Sequence, residues 1–228
     1  SPRLGLVFKP FETLSFYGSY SIAYVPRAGD QLASLTVTNK TFDPEKFKNL
    51  ELGVKWDVLK DLSLSAALYQ LDRSNVAIAD PSDSTKTILV DGQRSKGVEL
   101  SVTGNVTKDW SITGGYAYQD AKITRTQSAT VLAGAQLANV PKHSASLWNR
   151  YDLNANWGLG LGVIYRGEIY PSTDNTVLVP AFTRVDAAAF YNWSPKLRFQ
   201  LNVENLGDKT YWASANSNNN ITPGSPRA

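Results

Sequence analysis

From Leu50 to Val58 the chain alternates without a break. Leu50, Leu52, Val54, Trp56 and Val58 are apolar, and Glu51, Gly53, Lys55 and Asp57 stand between them. A strand sends successive side chains to opposite faces, so this segment has one greasy face and one polar face. The same period recurs over Val98–Val106, Trp157–Arg166 and Leu197–Glu204, and less regularly over Arg3–Lys9, Leu14–Tyr24, Leu62–Asp72, Trp110–Lys122, Ser144–Leu153 and Phe182–Trp193. The pattern predicts about ten strands and no helix.

The connections between these segments fall into two sizes. Pro10–Thr13, Leu59–Asp61, Thr107–Asp109, Asn154–Asn156 and Ser194–Lys196 are short. Val25–Lys46, Arg73–Arg94, Ile123–Pro141, Gly167–Ala181 and Gly207–Ala228 are long and rich in Asn, Ser, Thr, Asp, Gly and Pro. Strict alternation of short and long predicts an antiparallel meander with unlike ends, as in an outer-membrane barrel. Phe8, Trp56, Trp110, Trp157, Tyr191 and Trp193 lie beside short turns, and Tyr20, Tyr24, Tyr118, Tyr165 and Tyr170 lie toward the long loops. Two aromatic belts around an aliphatic band suit a barrel wall in a bilayer. The opposite face carries Ser63, Ser65, Glu99, Ser101, Thr103, Ser111, Thr113, Arg184, Asp186, Arg198, Gln200 and Glu204. A dry core would not take those charges unpaired. A polar lumen would.

Composition narrows the chemistry. The 228 residues include no cysteine, which removes disulfides, thiolate metal sites and a Cys nucleophile. There is one histidine, so a His-rich metal centre is impossible and any Ser–His machinery would depend on His143. No apolar run reaches the roughly 18 residues of a membrane-spanning helix. The net charge of +3 is mild and dispersed, so it argues only weakly for nucleic acid or anionic lipid, and no nucleic-acid partner is expected. Charged residues are only 19% while aromatics reach 11%, so part of the surface is expected to face something other than water. Absent methionine implies a processed product or a fragment.

Several stretches carry a family resemblance. Gln93-Arg94-Ser95-Lys96-Gly97-Val98-Glu99-Leu100, then Trp110–Ala121, then Pro141–Trp148, resemble the late barrel of TonB-dependent siderophore receptors. The sharpest likeness is Asn202-Val203-Glu204-Asn205-Leu206-Gly207-Asp208-Lys209-Thr210-Tyr211-Trp212, followed by Thr222–Arg227. Ser1–Pro10 resembles a mid-barrel strand of the same family. The likeness covers essentially the whole chain and is closest to receptors for catecholate or mixed-type siderophores. It implies a bacterial outer-membrane protein that imports ferric siderophore with energy passed through TonB, and no enzyme. Residues 1–228 are then expected to be a partial barrel: about ten of some 22 strands, without the plug domain that carries the TonB-binding segment and without the final strand. A self-contained ten-stranded barrel is the alternative.

The resemblance also suggests which residues meet the cargo. Ferric catecholates are anionic, so cations beside aromatic rings would attract and hold them. Arg73, Arg94, Lys96, Lys122, Arg125, Lys142 and Arg166 gather near the long-loop ends, with Tyr116, Tyr118, Tyr165, Tyr170 and Trp212 as rings. The substrate-binding set is Arg73, Arg94, Lys96, Arg125, Lys142, Arg166, Tyr170 and Trp212, with ferric siderophore as the transported ligand and no covalent cofactor or resident metal. Outer-membrane lipid and lipopolysaccharide are further partners, and lipopolysaccharide phosphates would also suit these cations. Alternation turns Tyr118 and Tyr165 toward lipid. His143 reads best as a surface residue at a strand start. Asp72, Asp80, Asp83, Asp91 and Asp120 are carboxylates that could suit calcium, but their spacing fits no calcium loop and solvated loop charge is the simpler account. Gly158, Gly160 and Gly162 face the lumen, where they would admit a plug or let the strand coil. Asn216 and Asn218–Asn220 read as a flexible loop tip without chemistry. The rivals are a passive porin-like channel, a barrel-borne enzyme using His143, and a soluble β-sandwich.

Overall fold

The computed structural model of the chain describes residues 1–26, 42–80 and 83–228. The long connection expected at Val25–Lys46 lies mostly outside the described residues. Fourteen strands run in order: β1 (Arg3–Phe11), β2 (Leu14–Val25), β3 (Glu45–Leu59), β4 (Leu62–Ser74), β5 (Val76–Asp80), β6 (Asp83–Val90), β7 (Gln93–Asn105), β8 (Trp110–Ile123), β9 (His143–Asp152), β10 (Trp157–Arg166), β11 (Phe182–Ser194), β12 (Leu197–Val203), β13 (Trp212–Ser217) and β14 (Asn220–Pro223). Ten of them form one antiparallel sheet in the order β1-β2-β3-β4-β7-β8-β9-β10-β11-β12. These are the ten segments the alternation picks out, each within a few residues of its expected ends. The remaining strands make two separate hairpins, β5–β6 and β13–β14.

Local chemistry builds the short turns. Thr107 Oγ1 accepts from the backbone N–H of Asp109 and Trp110, at 3.3 and 3.1 Å. Asn154 Oδ1 does the same for Asn156 and Trp157, both at 2.9 Å. In each case a side-chain oxygen replaces the missing ladder partner and ends the turn on a tryptophan.

The register carries one face unbroken across the sheet. Leu14, Trp56, Leu64, Val102, Gly114, Leu147, Val163 and Val185 form a single cross-strand row from β2 to β11. Neighbouring rows hold Leu52, Leu68 and Val98, and Tyr151, Leu159 and Leu201. These side chains are open to the surroundings: Leu4 is 74% exposed, Leu201 65% and Leu161 48%. A water-soluble domain does not display a band of this size. No second sheet of comparable size covers it among the described residues, so the β-sandwich reading fails. The aromatic belts fall on the same outward face. Trp157 and Tyr191 pair across strands with ring centroids 4.5 Å apart, and Trp193 extends that cluster. Tyr170 is the exception, because it lies in the loop after β10 rather than on a strand.

The inward face holds the polar set foreseen from alternation, and it has a packing device of its own. Tyr17 lies opposite Gly53, Tyr69 opposite Gly97 and Trp148 opposite Gly162. At Gly53 and Gly162 the ring fills the space a Cβ would take; at Gly97 the Tyr118 carbonyl and the Tyr69 ring share it. The glycines at 160 and 162 therefore accommodate Trp148 from the neighbouring strand.

The long connections are folded as well. Residues 73–94, expected as an irregular loop, contain the β5–β6 hairpin with Val76 and Val90 buried as direct partners. The alternation Val76-Ala77-Ile78-Ala79 was its signal in the sequence. Residues 167–181 close through paired backbone hydrogen bonds between Ile169 and Val179, at 3.0 and 2.8 Å. Those two side chains, with Ala215 and Ile221 of the β13–β14 hairpin, make a small apolar core above the strand ends.

Candidate functional site

The inward face encloses a cavity of about 690 Å³. Glu51, Glu99 and Tyr17 line one side, and Arg166, Phe182 and Ala213 the other. Tyr17 donates to Glu51 Oε1 at 2.6 Å, so one of the carboxylates is already engaged. Arg166 ends β10. Its guanidinium donates to the carbonyls of Ala213 and Trp212, at 2.5 and 2.8 Å, and stacks 4.8 Å from the Phe182 ring centroid. Both acceptors are neutral, and no carboxylate pairs with it among the described residues. Arg166 thus brings one positive charge to a cavity that Glu51 and Glu99 also line, while holding β13 over it.

A second polar network anchors the roof. Asp186 on β11 accepts from Arg184 Nη2 at 2.8 Å and from the backbone N–H of Asn205 at 2.8 Å. Arg184 Nη1 donates to Tyr211 Oη at 3.0 Å. Asn205 is 1% exposed with φ of 52°, in the left-handed region. Its Nδ2 donates to the carbonyls of Lys209 and Ser225, at 2.9 and 3.1 Å, and its Oδ1 accepts from the Lys209 N–H at 2.9 Å. One amide therefore ties the end of β12 to the turn after it and to the segment following β14. Tyr211 lies against Gly224, where any Cβ would collide with its ring. The stretch Asn205–Tyr211, which carried the sharpest resemblance, is thus a structural knot beside the cavity rather than a set of ligand contacts.

The eight residues expected to bind cargo divide three ways. Arg166 lines the cavity and holds the main-chain carbonyl of Trp212, but Trp212 itself, 41% exposed, is not among the lining residues. Arg73, Arg94 and Arg125 share a different cleft, of about 580 Å³, at the loop ends of β3, β4 and β7. Arg73 is neutralised there by Glu45 at 2.6 Å. Arg94 and Lys96 stand on the other face of β7. They share the outward face with Val98 and Leu100, so neither side chain can reach the lumen. Arg94 pairs with Asp72 at 2.5 Å instead. Parity decides this, and the same parity turns Tyr116 outward with Tyr118. Lys142 is exposed just before β9, and Tyr170 is half-buried in its loop, where its carbonyl accepts from Asn139 N at 2.8 Å. Neither joins the cavity lining.

The other candidates are also placed. His143 faces outward, with Nδ1 2.8 Å from Tyr116 Oη and its ring 5.1 Å from Tyr118. It belongs to the aromatic belt, and among the described residues no acidic partner orients it as a general base. Asp72, Asp83 and Asp120 are each paired with a cation, Arg94, Lys86 and Lys122 respectively. Sequence reasoning missed Tyr17, Glu51 and Phe182 as cavity residues. Only the register shows that they converge.

The family described as "TonB dependent receptor-like, beta-barrel" matches residues 1–206. This chain belongs to the TonB-dependent receptor family. It is 32% identical over 99% of its length to the probable TonB-dependent siderophore receptor PiuA of Acinetobacter baumannii, and 34% identical over 99% to the catecholate siderophore receptor Fiu of Escherichia coli. It spans about a third of those relatives, 32% and 31% of their lengths. The crystal structure of PiuA superposes with a TM-score of 0.87 at 33% identity, covering 99% of this chain and 34% of that one. The closed form of Fiu gives 0.86 at 30% identity, covering 99% and 33%. The receptor family accounts for the sorted loops, the outward apolar band and the polar inner face together.

Proposed function

We propose that this chain supplies barrel wall and external loops to an outer-membrane receptor that imports a ferric siderophore, drawing energy through TonB. The observation that carries the reading is the receptor-family match over residues 1–206 on a sheet with an apolar outer and a polar inner face. The names of PiuA and Fiu, siderophore receptors of similar sequence, support iron chelates as cargo, and Fiu supports a catecholate. In the inner cavity Arg166 offers a cation and Phe182 and Tyr17 offer flat surfaces to an anionic chelate, beside the carboxylates of Glu51 and Glu99. The wall contributes binding and passage, not bond chemistry.

The rest of a barrel must come from further strands. Among the described residues β1 and β12 are the sheet's edges, and unpaired backbone groups in hydrocarbon cost several kcal/mol each. Ala228 already exchanges backbone hydrogen bonds with Glu204 beyond β12, at 2.9 and 3.3 Å.

The test is uptake. The full receptor is expressed in a bacterium lacking its own siderophore receptors, and radio-iron accumulation is followed with catecholate, hydroxamate and citrate chelates. TonB-dependent accumulation of a catecholate is expected. Accumulation of unrelated small solutes without TonB would instead support a passive channel.

A further inference from the structure

The lumen face is not uniform. Between the cavity and the short turns, β4, β7 and β8 present Ser63, Ser65, Ser101, Thr103, Ser111 and Thr113. Register sets them side by side. Ser65 opposes Ser101, and Ser63, Thr103 and Thr113 form one cross-strand row. From Ala117 down to Ser111 the lumen positions of these three strands hold no charged side chain. At roughly 3.4 Å per residue that strip is about 20 Å long.

Charges begin where the strip ends. The same two rows reach Lys55 and Asp57 on β3 and Arg184 and Asp186 on β11. Arg150 on β9 opposes Ser111. At its upper end the strip runs straight into the inner cavity, because Ser65, Ser101 and Gly115 line both.

The hydroxyls are short and bond to one another. Ser65 Oγ and Ser101 Oγ lie 2.7 Å apart, and Thr103 Oγ1 and Thr113 Oγ1 3.5 Å. Ser101, Thr103 and Thr113 are exposed. A hydroxyl has one donor and two acceptor sites, so each keeps capacity for a passing guest. Movement through a pore needs contacts favourable enough to admit a solute, yet weak and numerous enough to release it. For an anion, a lysine or arginine on the wall is a trap and a carboxylate a barrier. Neutral hydroxyls repeated at every second residue are neither.

We propose that this hydroxyl strip of β4, β7 and β8 is the wall along which an anionic iron chelate travels from the cavity to the short-turn end. The proposal deepens the import reading and rests on it. Short side chains would also suit packing against a domain in the lumen. Packing responds to bulk, whereas passage of an anion responds to charge.

Uptake of a ferric catecholate is followed in cells carrying the full receptor, and chelate affinity is titrated on the purified protein. Thr103→Lys and Thr113→Lys are expected to lower uptake about tenfold, the scale of one charge-assisted contact, with affinity at the cavity unchanged. Thr103→Gln and Thr113→Gln, long but neutral, should keep most of the uptake. So should Ser15→Lys, on the lumen face of β2 outside the strip. Equal losses in the lysine and glutamine variants overturn the proposal in favour of packing. An equal loss in Ser15→Lys overturns it in favour of the lumen as a whole, and full uptake in both lysine variants overturns it outright. A wild type that takes up no chelate removes the import reading and the strip with it; the other outcomes remove the strip alone. If the lysine variants do not fold, Thr103→Cys and Ser15→Cys decide, since the chain has no cysteine of its own. Thiol labelling at position 103 should rise severalfold only with chelate and TonB both present, and labelling at position 15 should not. No rise at 103, or the same rise at both, refutes the strip.

Discussion

Trp148 on β9 lies across Gly162, its direct partner on β10, and extends over Gly160 as well. A Cβ at either glycine would run into the indole. The ring therefore has one place to lie on the lumen face, and the glycines define it. Gly162→Val should overpack this pair and cost about 1–3 kcal/mol. The full receptor in detergent would show it as a lowered unfolding temperature. Gly162→Val/Trp148→Ala should recover part of the loss, since the second change empties the space the first one needs. A double variant no more stable than the single one would show that backbone strain, not the ring, sets the cost.

Asn205 has the least replaceable side chain near the cavity. It is 1% exposed and takes part in three side-chain hydrogen bonds that join separate segments. Asn205→Ala leaves the Lys209 N–H and two carbonyls to find other partners, at about 1–3 kcal/mol for each group that stays buried and unpaired. It also leaves an alanine in the left-handed region that Asn tolerates. Residues 206–227 should become the first site of limited proteolysis in the intact receptor, with the ten-stranded sheet still resistant. Unchanged cleavage kinetics would show that the backbone bonds alone hold the knot.

Much of the wall was legible because a half-buried strand repeats every two residues and one slip would reverse both faces. Leu50–Val58 needed nothing beyond its own letters. The site was less legible because its residues converge across strands. Tyr17 and Glu51 meet through the register of β2 on β3, and no spacing in the sequence states that register. Arg94 and Lys96 lie near a long loop, but their parity with Val98 and Leu100 puts them on the outward face. Asn218 shows a different gap. Three asparagines in a row look like a mobile tip, yet Asn218 Nδ2 lies 2.9 Å from Asp174 Oδ2 in another loop. A contact between two loops leaves no period in either.

That contact gives the roof a pH dependence. The Asn218 amide, then the backbone N–H and hydroxyl of Thr176, bond to the charged form of Asp174 and hold its carboxyl below the ordinary 3.8. A depressed carboxyl contributes fully above its unfolded value and loses that contribution as pH falls through the folded one. Docking of the β13–β14 hairpin on residues 167–181 should therefore be constant from about pH 5 upward and weaken only below the ordinary carboxyl range. Hydrogen exchange of the β13 amides in the intact receptor would follow it. Asp174→Asn should flatten the acid-side change, and an equal acid-side change in that variant would assign it to another group.

Arg166 joins two roles that substitution can separate. Its charge faces the inner cavity, and its two nitrogens hold the carbonyls of Trp212 and Ala213. Arg166→Ala removes both and is expected to weaken binding of an anionic ferric chelate about tenfold, the scale of one lost charge-assisted contact. Arg166→Lys keeps the charge but has no planar fork to grip two carbonyls and stack on Phe182 at once. If charge governs affinity, the lysine variant binds nearly as wild type while its β13 amides exchange faster. If placement of the hairpin governs it, lysine and alanine lose affinity alike. Chelate titration of the purified full receptor, with hydrogen exchange on the same samples, reads both. Wild-type affinity in the alanine variant would remove Arg166 from the binding surface altogether.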